Sequence, residues 1–427
     1  MTPHGLRREL GTTDAVVIGL SAMIGAGIFV ALAPAARAAG SGLMIALAVA
    51  AVVAYCNATS SARLAALYPA SGGTYVYGRE RLGNFWGYLA GWGFVVGKTA
   101  SCAAMALTVG VYVWPGHAHA VAAVTVAALT ALNYVGIQRS AWLARSIVAV
   151  VITILVIVVV TSTISPKSLE WSASAGPEVS VTGVLQAAGL LFFAFAGYAR
   201  IATLGEEVRD PSRTIPRAIP LALAITLILY AATAAALLWI LGPSAMGSSV
   251  APVTDAARAT GLRWLVPTVG VAAAAAAVGS LLALILGVSR TTFAMARDHH
   301  LPHRLASIHP RFGSPYRAEL VVGAVVTGLA ATVDVGDAIG FSSFAVLVYY
   351  AIANVSAWTL TTTEGRPARI VPAVGLLGCV TLALALPLPS TIAGIGVLAA
   401  GAITYRVRMS WRTRSSTDTT DESTSGS

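Results

Sequence analysis

Four features of this chain are of a kind that does chemistry. Gly25-Ala26-Gly27 interrupts one long apolar run, Ala196-Gly197 interrupts another, and two bases, Lys98 and Arg200, fall inside apolar runs. Glycine costs about 1 kcal/mol in a helix interior. An ionisable side chain at the centre of a bilayer costs at least about 2.5–3.5 kcal/mol. Where a helix opens in hydrocarbon, its freed N–H and C=O groups each cost several kcal/mol until something satisfies them. A bound zwitterion does so. Amides at the start of a half-helix, at its positive dipole end, suit a carboxylate, and carbonyls at the end of the other half suit an ammonium. The competing reading is that small residues merely let two helices pack closely; it explains one interruption better than two in matching places.

The elements that must hold these groups follow from composition. Hydrophobic residues make up 57% of the 427 and charged residues 10%, against about 25% charged in a soluble domain, so the chain reads as an all-α integral membrane protein. Apolar runs near the roughly 20 residues a span needs lie at 14–37, 42–64, 84–113, 118–136, 143–164, 182–205, 216–241, 265–294, 318–333, 338–360, 371–387 and 390–405. The first is too long and too interrupted for a cleaved signal peptide. The interrupted runs are spans one and six of these twelve. Glycine-broken helices in corresponding positions point to a transporter built from inverted repeats around a midplane site. The expected organisation is a tail over 1–13, a first five-helix repeat over 14–164, a second over 165–360, two additional helices over 361–410, and a disordered tail over 411–427.

Charge gives the orientation. With the N-terminus inside, the outer loops hold only Arg37, Lys167, Arg258 and Arg263; Lys98, Arg200 and Arg290 lie at membrane depth or near its edge, and the other 20 of 27 lysines and arginines are cytoplasmic. That asymmetry predicts a multi-pass protein of the cytoplasmic membrane with both termini inside. The net charge of +10 is spread over short loops rather than a basic stripe with aromatics, which excludes a nucleic-acid partner. Three cysteines and seven histidines form no ligand spacing, and every histidine lies in a tail or loop, so neither a metal site, a cofactor nor an intramembrane hydrolase is indicated. A channel would need a continuous polar pore, which the chain does not have.

Four stretches carry a resemblance: "GLSAMIGAGIFV", "YPASGGTYVYGRERLGNFWGYLAGW", "FFAFAGYARIATLGEEVRDPSRTIPRAI" and "FAMARDHHLP". Together they resemble the amino acid–polyamine–organocation superfamily, and within it bacterial permeases similar to cationic amino acid transporters. The resemblance covers Thr12 to Pro310; the last hundred residues match by topology only. It implies a ten-helix core of two inverted five-helix repeats, spans one to five and six to ten, with spans one and six broken and two spans added. It also implies that the substrate carboxylate meets amides of Gly25, Ala26 and Gly27. The ammonium would meet carbonyls of Met23, Phe193, Ala194 and Ala196 beside Gly197. Ile28, Phe193, Phe195 and Tyr198 would line or gate the site, unless they are simple packing.

This chain departs from the pattern in charge. Cationic relatives often place an acid in span three and another just past the span-six break; here the matching positions are Gly97 and Ala199, beside Lys98 and Arg200. A cationic side chain would meet two like charges and no carboxylate, which argues against arginine, lysine or polyamines as substrates. Some proton-coupled relatives keep a lysine in span five, where the matching residue is about Val151, so Lys98 is the leading substitute for proton exchange. Alternatively it stays charged beside an anionic substrate group, or is bonded structurally to carbonyls or a serine. Arg200 either tunes charge selectivity, snorkels, or pairs with Glu206 or Glu207. A sodium site from span-one carbonyls and Ser280 is the lesser option. Glu206, Glu207 and Arg209, in a segment stiffened by Pro211, Pro216 and Pro220, are expected to form a cytoplasmic gate. The expected activity is proton-coupled uptake of a neutral or acidic amino acid by a monomer in the lipid bilayer, with no cofactor and no enzymatic reaction. Amino acid or amine exchange, or cationic amino acid permeation, is the alternative.

Overall fold

The structure, a computed structural model, describes residues 10–69, 72–135, 141–165, 179–204 and 207–424. Among them the chain is helical throughout, apart from one isolated bridge between Leu10 and Val208. The first apolar run forms three helices: α1 (Thr12–Met23), α2 (Gly27–Val30) and α3 (Leu32–Ala39). The second interruption, at Ala31, falls where Pro34 offers no N–H to Val30 and crowds its carbonyl. α4 (Leu43–Leu67), the short α5 (Thr74–Leu82), α6 (Asn84–Val113), α7 (Ala118–Tyr134) and α8 (Ala141–Ile164) follow. α9 (Val181–Phe195) tightens into a 3₁₀ turn over Ala196–Tyr198 and ends in the four-residue α10 (Ala199–Ala202). Then come α11 (Pro211–Ser248), the short α12 (Pro252–Ala259), α13 (Leu265–Arg297), α14 (Tyr316–Thr332), α15 (Val335–Trp358), α16 (Ile370–Ala385) and α17 (Leu388–Thr424). The helical course of α17 thus continues into the polar segment expected to be a tail.

Ten helices among the described residues are long and apolar enough to cross a membrane. The expected ninth and eleventh spans correspond to α14 and α16, of 17 and 16 residues, somewhat short of the roughly 20 a perpendicular crossing needs. Val124, Ile228 and Val271 are each 70% exposed and Leu377 67%. Large apolar side chains so bare, on helices this greasy, face lipid rather than water. The core lies between the helices, where alanine and glycine let backbones approach. α6 sits at its centre against α13 and α15, with α4 against α9 and α11, and α7 against α14.

The proline-containing segment after span six is helical from Pro211, ahead of the expected start of span seven at 216, with Pro216 and Pro220 inside α11. Pro211 is the first helical residue, where a missing N–H is no loss, and the Asp210 carbonyl accepts from the amides of Arg213 and Thr214 at 3.2 and 2.8 Å. Pro216 and Pro220 fall one turn apart near that start, so each removes one intrahelical bond without ending the helix. Gly242, at φ 76°, is the true stop of the spanning part.

The short α5 is tied down on both sides. Gly73, at φ 56°, leaves no room for a Cβ beside the Tyr349 hydroxyl, which accepts the Thr74 amide at 2.9 Å. Arg81 grips Glu364, beyond α15, with both terminal nitrogens at 2.8 and 3.1 Å, and donates to the Thr359 carbonyl at 2.6 Å. Arg81 and then the Thr361 amide and hydroxyl hold the Glu364 carboxyl down at about 2, from its ordinary 4.5. A depressed carboxyl stabilises above its ordinary value and loses that contribution as pH falls towards 2. Glu364→Gln should therefore lower the melting temperature modestly at pH 7, and a melting series taken down in pH should show the difference closing between pH 4.5 and 2.

Candidate functional site

The two interrupted spans meet at their interruptions. A Cβ on Gly27 would come within 2.7 Å of the Ala194 Cα, and one on Gly197 within 2.5 Å of the Ala22 carbonyl carbon. Each break thus seats a glycine on the backbone of the other span. A Cβ on Gly25 would meet the Ser280 hydroxyl of α13 at 2.1 Å. The close-packing reading of these glycines is therefore realised. It coexists with opened backbone: Ile24, Gly25 and Ala26 lie outside both flanking helices. Their neighbours close the helix ends at either side, the Ile24 amide on the Leu20 carbonyl and the Phe29 amide on the Ala26 carbonyl.

Carbonyls at the breaks converge on three donors. Tyr230, on α11, places its hydroxyl 2.5 Å from the Met23 carbonyl of span one and 3.2 Å from the Ala194 carbonyl of span six. Lys98, only 7% exposed, donates to the Ala196 carbonyl at 3.4 Å, and the Tyr350 hydroxyl lies 3.5 Å from the same oxygen. Of the four carbonyls expected to meet an ammonium, those of Met23, Ala194 and Ala196 are thus held by an ammonium and two hydroxyls of the protein itself. Phe193 is buried, Phe195 packs its ring 5.2 Å from Tyr230, and Tyr198 stacks on Tyr350 at 5.0 Å. Ile28 is buried beside them. Tyr230 and Tyr350 were not found from sequence; their only signal was a hydroxyl inside an apolar run. Tyr230→Phe keeps the ring on Phe195 but strips two buried carbonyls of their donor. It should cost about 1–3 kcal/mol, read from chemical unfolding of the protein in detergent.

Gly97, where cationic relatives often hold an acid, has no room for one. A Cβ there would meet the Ala345 Cβ of α15 at 2.7 Å. One turn on, Ser101 and Ser342 share a hydrogen bond of 2.6 Å that fixes α6 against α15. Replacement of the acid by glycine is thus matched by a close helix contact, and Lys98 is the charge left at this depth of α6.

The other candidates fall in three places. Ser280 donates to the Ser21 carbonyl at 2.8 Å. It lines a cavity of about 130 Å³ with Ser21, Ile24, Val148 and Val151, so the position that holds a lysine in some relatives faces an apolar void here. Arg200 is turned towards the end of span six that carries Glu207; it donates to the Thr203 hydroxyl at 3.2 Å and faces Glu207 at 3.9 Å. At that distance and 33% exposure the pair is weak. Glu206 lies outside the described residues. Glu207 and Arg209 act through backbone: the Leu10 amide donates to the Glu207 carbonyl at 3.1 Å, and the Arg209 amide to the Leu10 carbonyl at 3.0 Å. Another junction that the sequence did not show joins α5 to the end of α13. The Tyr75 hydroxyl of α5 donates to Asp298, at the end of α13, at 2.7 Å, and Arg79 reaches the same carboxylate at 3.1 Å.

Two broken spans seated on each other's backbone, with carbonyls at the breaks gathered on Tyr230, Lys98 and Tyr350 inside a bundle of apolar spanning helices, form the site of a membrane transporter rather than of an enzyme. Among the described residues no group of acids, histidines and cysteines is placed to hold a metal ion. The comparisons with known proteins give the same class and make it specific. The chain belongs to the amino acid permease family, whose profile matches residues 10–405, within the amino acid–polyamine–organocation superfamily. It is 68% identical over 425 residues to an uncharacterized transporter of Mycobacterium tuberculosis, covering 99% of this chain and 97% of that one. It is 26% identical over 432 residues to the branched-chain amino acid permease BcaP of Bacillus subtilis, covering 94% and 92%. It is also 26% identical over 388 residues to the human cationic amino acid transporter 4, covering 85% of this chain and 61% of that one.

Proposed function

We propose that the protein takes up a neutral or acidic amino acid, or a close relative, across the cytoplasmic membrane by alternating access, coupled to protons. The observation that carries this reading is the meeting of the Met23, Ala194 and Ala196 carbonyls with the Tyr230 hydroxyl and the Lys98 ammonium, with no carboxylate beside them among the described residues. An α-ammonium takes over these carbonyls, and the α-carboxylate takes the amides of Gly25, Ala26 and Gly27. A second ammonium on the side chain would find only Lys98. A neutral side chain meets apolar walls, and an acidic one meets Lys98 as its partner.

Coupling follows from the same contact. Lys98 carries a proton inward with the substrate, releases it to the cytoplasm, and returns neutral. A neutral amine still has N–H donors for the Ala196 carbonyl, so the empty carrier keeps that bond while it reorients. The void at Val151 supports moving the proton task to span three.

The architecture proposed is twelve spans, with two inverted five-helix repeats and both termini cytoplasmic. Helix contacts support it, because they recur when each helix of the first half is exchanged for its counterpart in the second. α1 touches α11 as α9 touches α4, α1 touches α8 as α9 touches α15, and α6 touches α7 as α13 touches α14. The short helices match as well: α5 lies on α6 and α15, and α12 on α13 and α8. Counterflow in proteoliposomes tests the substrate class. Internal leucine or glutamate should draw in the labelled compound, whereas arginine and putrescine should not; stimulation by arginine alone would overturn the charge argument.

A further inference from the structure

Glu319 is buried to 0% exposure, and neither carboxylate oxygen has a hydrogen-bond partner among the described residues. It lies in the first turn of α14, a helix that packs against α6, α7, α13 and the 3₁₀ turn over His303–Leu305. One turn on, Gly323 lies against Thr130 of α7, whose hydroxyl is also buried without a partner. An ionised carboxyl held so, with no donor and no counter-charge in contact, would cost several kcal/mol.

Arg290, on α13, is the charge whose field reaches Glu319. Of the charges on the other packed elements, Lys98 of α6 is engaged with Ala196, and His119 of α7 is on the Ala330 carbonyl at the far end of α14. Arg304, in the 3₁₀ turn, gives its carbonyl to Arg317. Arg290 is exposed and makes no hydrogen bond or ion pair among the described residues. It is also within electrostatic reach of Arg200, just past the span-six break. Arg290 is therefore an uncommitted cation within electrostatic reach of both a buried carboxyl and a second cation.

We propose that Glu319 is a proton-binding site: its carboxyl is neutral in this conformation and ionises against Arg290 when α13 and α14 shift during the transport cycle. The step is a proton transfer from the carboxyl to water at the cytoplasmic end, after which the guanidinium donates to the carboxylate. Drawing Arg290 towards Glu319 also takes it away from Arg200, which links the proton to the last turn of span six. This inference rests on the carrier reading but involves none of the substrate-contacting residues.

The test is an infrared pH titration of the full chain in phosphatidylcholine vesicles. The wild type should show the carbonyl stretch of a protonated carboxyl at neutral pH, and Glu319→Gln, isosteric with the neutral acid, should lack it. Glu319→Asp should shift the band rather than delete it. Arg290→Gln should move its titration upward by about one pH unit or more, since an opposite charge favours ionisation. A neutral-pH spectrum unchanged by Glu319→Gln overturns the proposal even if uptake proves proton-driven. Loss of the band in a protein that accumulates nothing with protons supports the buried proton site and removes the carrier's coupling instead.

Discussion

Lys98→Met is expected to abolish accumulation driven by a proton gradient and to leave exchange of internal for external substrate running. The methionine side chain fills the same channel between α6 and span six, but carries neither the proton nor the N–H that reaches the Ala196 carbonyl at 3.4 Å. Exchange needs only the loaded carrier to reorient, so it survives; net uptake needs the proton to travel with the substrate and the empty carrier to return, so it is lost. Proton-driven accumulation should fall to equilibration, measured as the internal-to-external ratio in vesicles at a fixed inward gradient. Two secondary readouts sharpen the result. If the substrate is acidic, the mutant should bind it more weakly as well; if neutral, its affinity should change little. Undiminished accumulation in the mutant would remove Lys98 from the coupling mechanism.

The second large effect concerns the crossing itself. Gly197→Ala puts a methyl 2.5 Å from the Ala22 carbonyl carbon, and Gly27→Ala puts one 2.7 Å from the Ala194 Cα. Both obstacles are backbone, which cannot rotate away as a side chain can, so spans one and six must separate by an appreciable fraction of an ångström. Displacement of about 1 Å at a site of this kind can cost about 100-fold in rate, and each variant is expected to lose transport on that scale. Gly287→Ala, on α13, is the matched control. Nothing lies within 4 Å of its Cβ position, and transport and stability should be unchanged. A folded Gly197→Ala with full activity would show that the two breaks do not need their close approach.

How far the sequence carried depended on the kind of information each feature needs. Apolar runs and positive loops are local, and the helices over Asn84–Val113 and Val335–Trp358 lie close to where hydropathy put them. The breaks at Gly25–Gly27 and Ala196–Tyr198 were legible because glycine is costly in a helix wherever the helix packs. Hydropathy places the start of span seven late: the apolar run begins at 216, whereas the helix begins at Pro211, because a proline at a first helical position costs little. The partners of the key groups were not legible. Nothing local tells that Tyr230, more than 30 residues beyond Ala194, caps carbonyls of both broken spans, or that Lys98 reaches Ala196. Glu319 drew no reading from the sequence, because its burial comes from packing of other helices, α7 and α13 among them, against α14. Conversely, the absent acid at Gly97 could be read from sequence, but the reason it cannot simply be restored, contact with Ala345, could not.

Uptake into proteoliposomes carrying an inward proton gradient, in sodium-free buffer, tests the central claim most directly. The account predicts that leucine or glutamate accumulates above equilibrium, that collapsing the gradient abolishes the accumulation, and that arginine and putrescine stay at equilibrium. Concentration of arginine, a requirement for sodium, or flux only against an internal partner would contradict it.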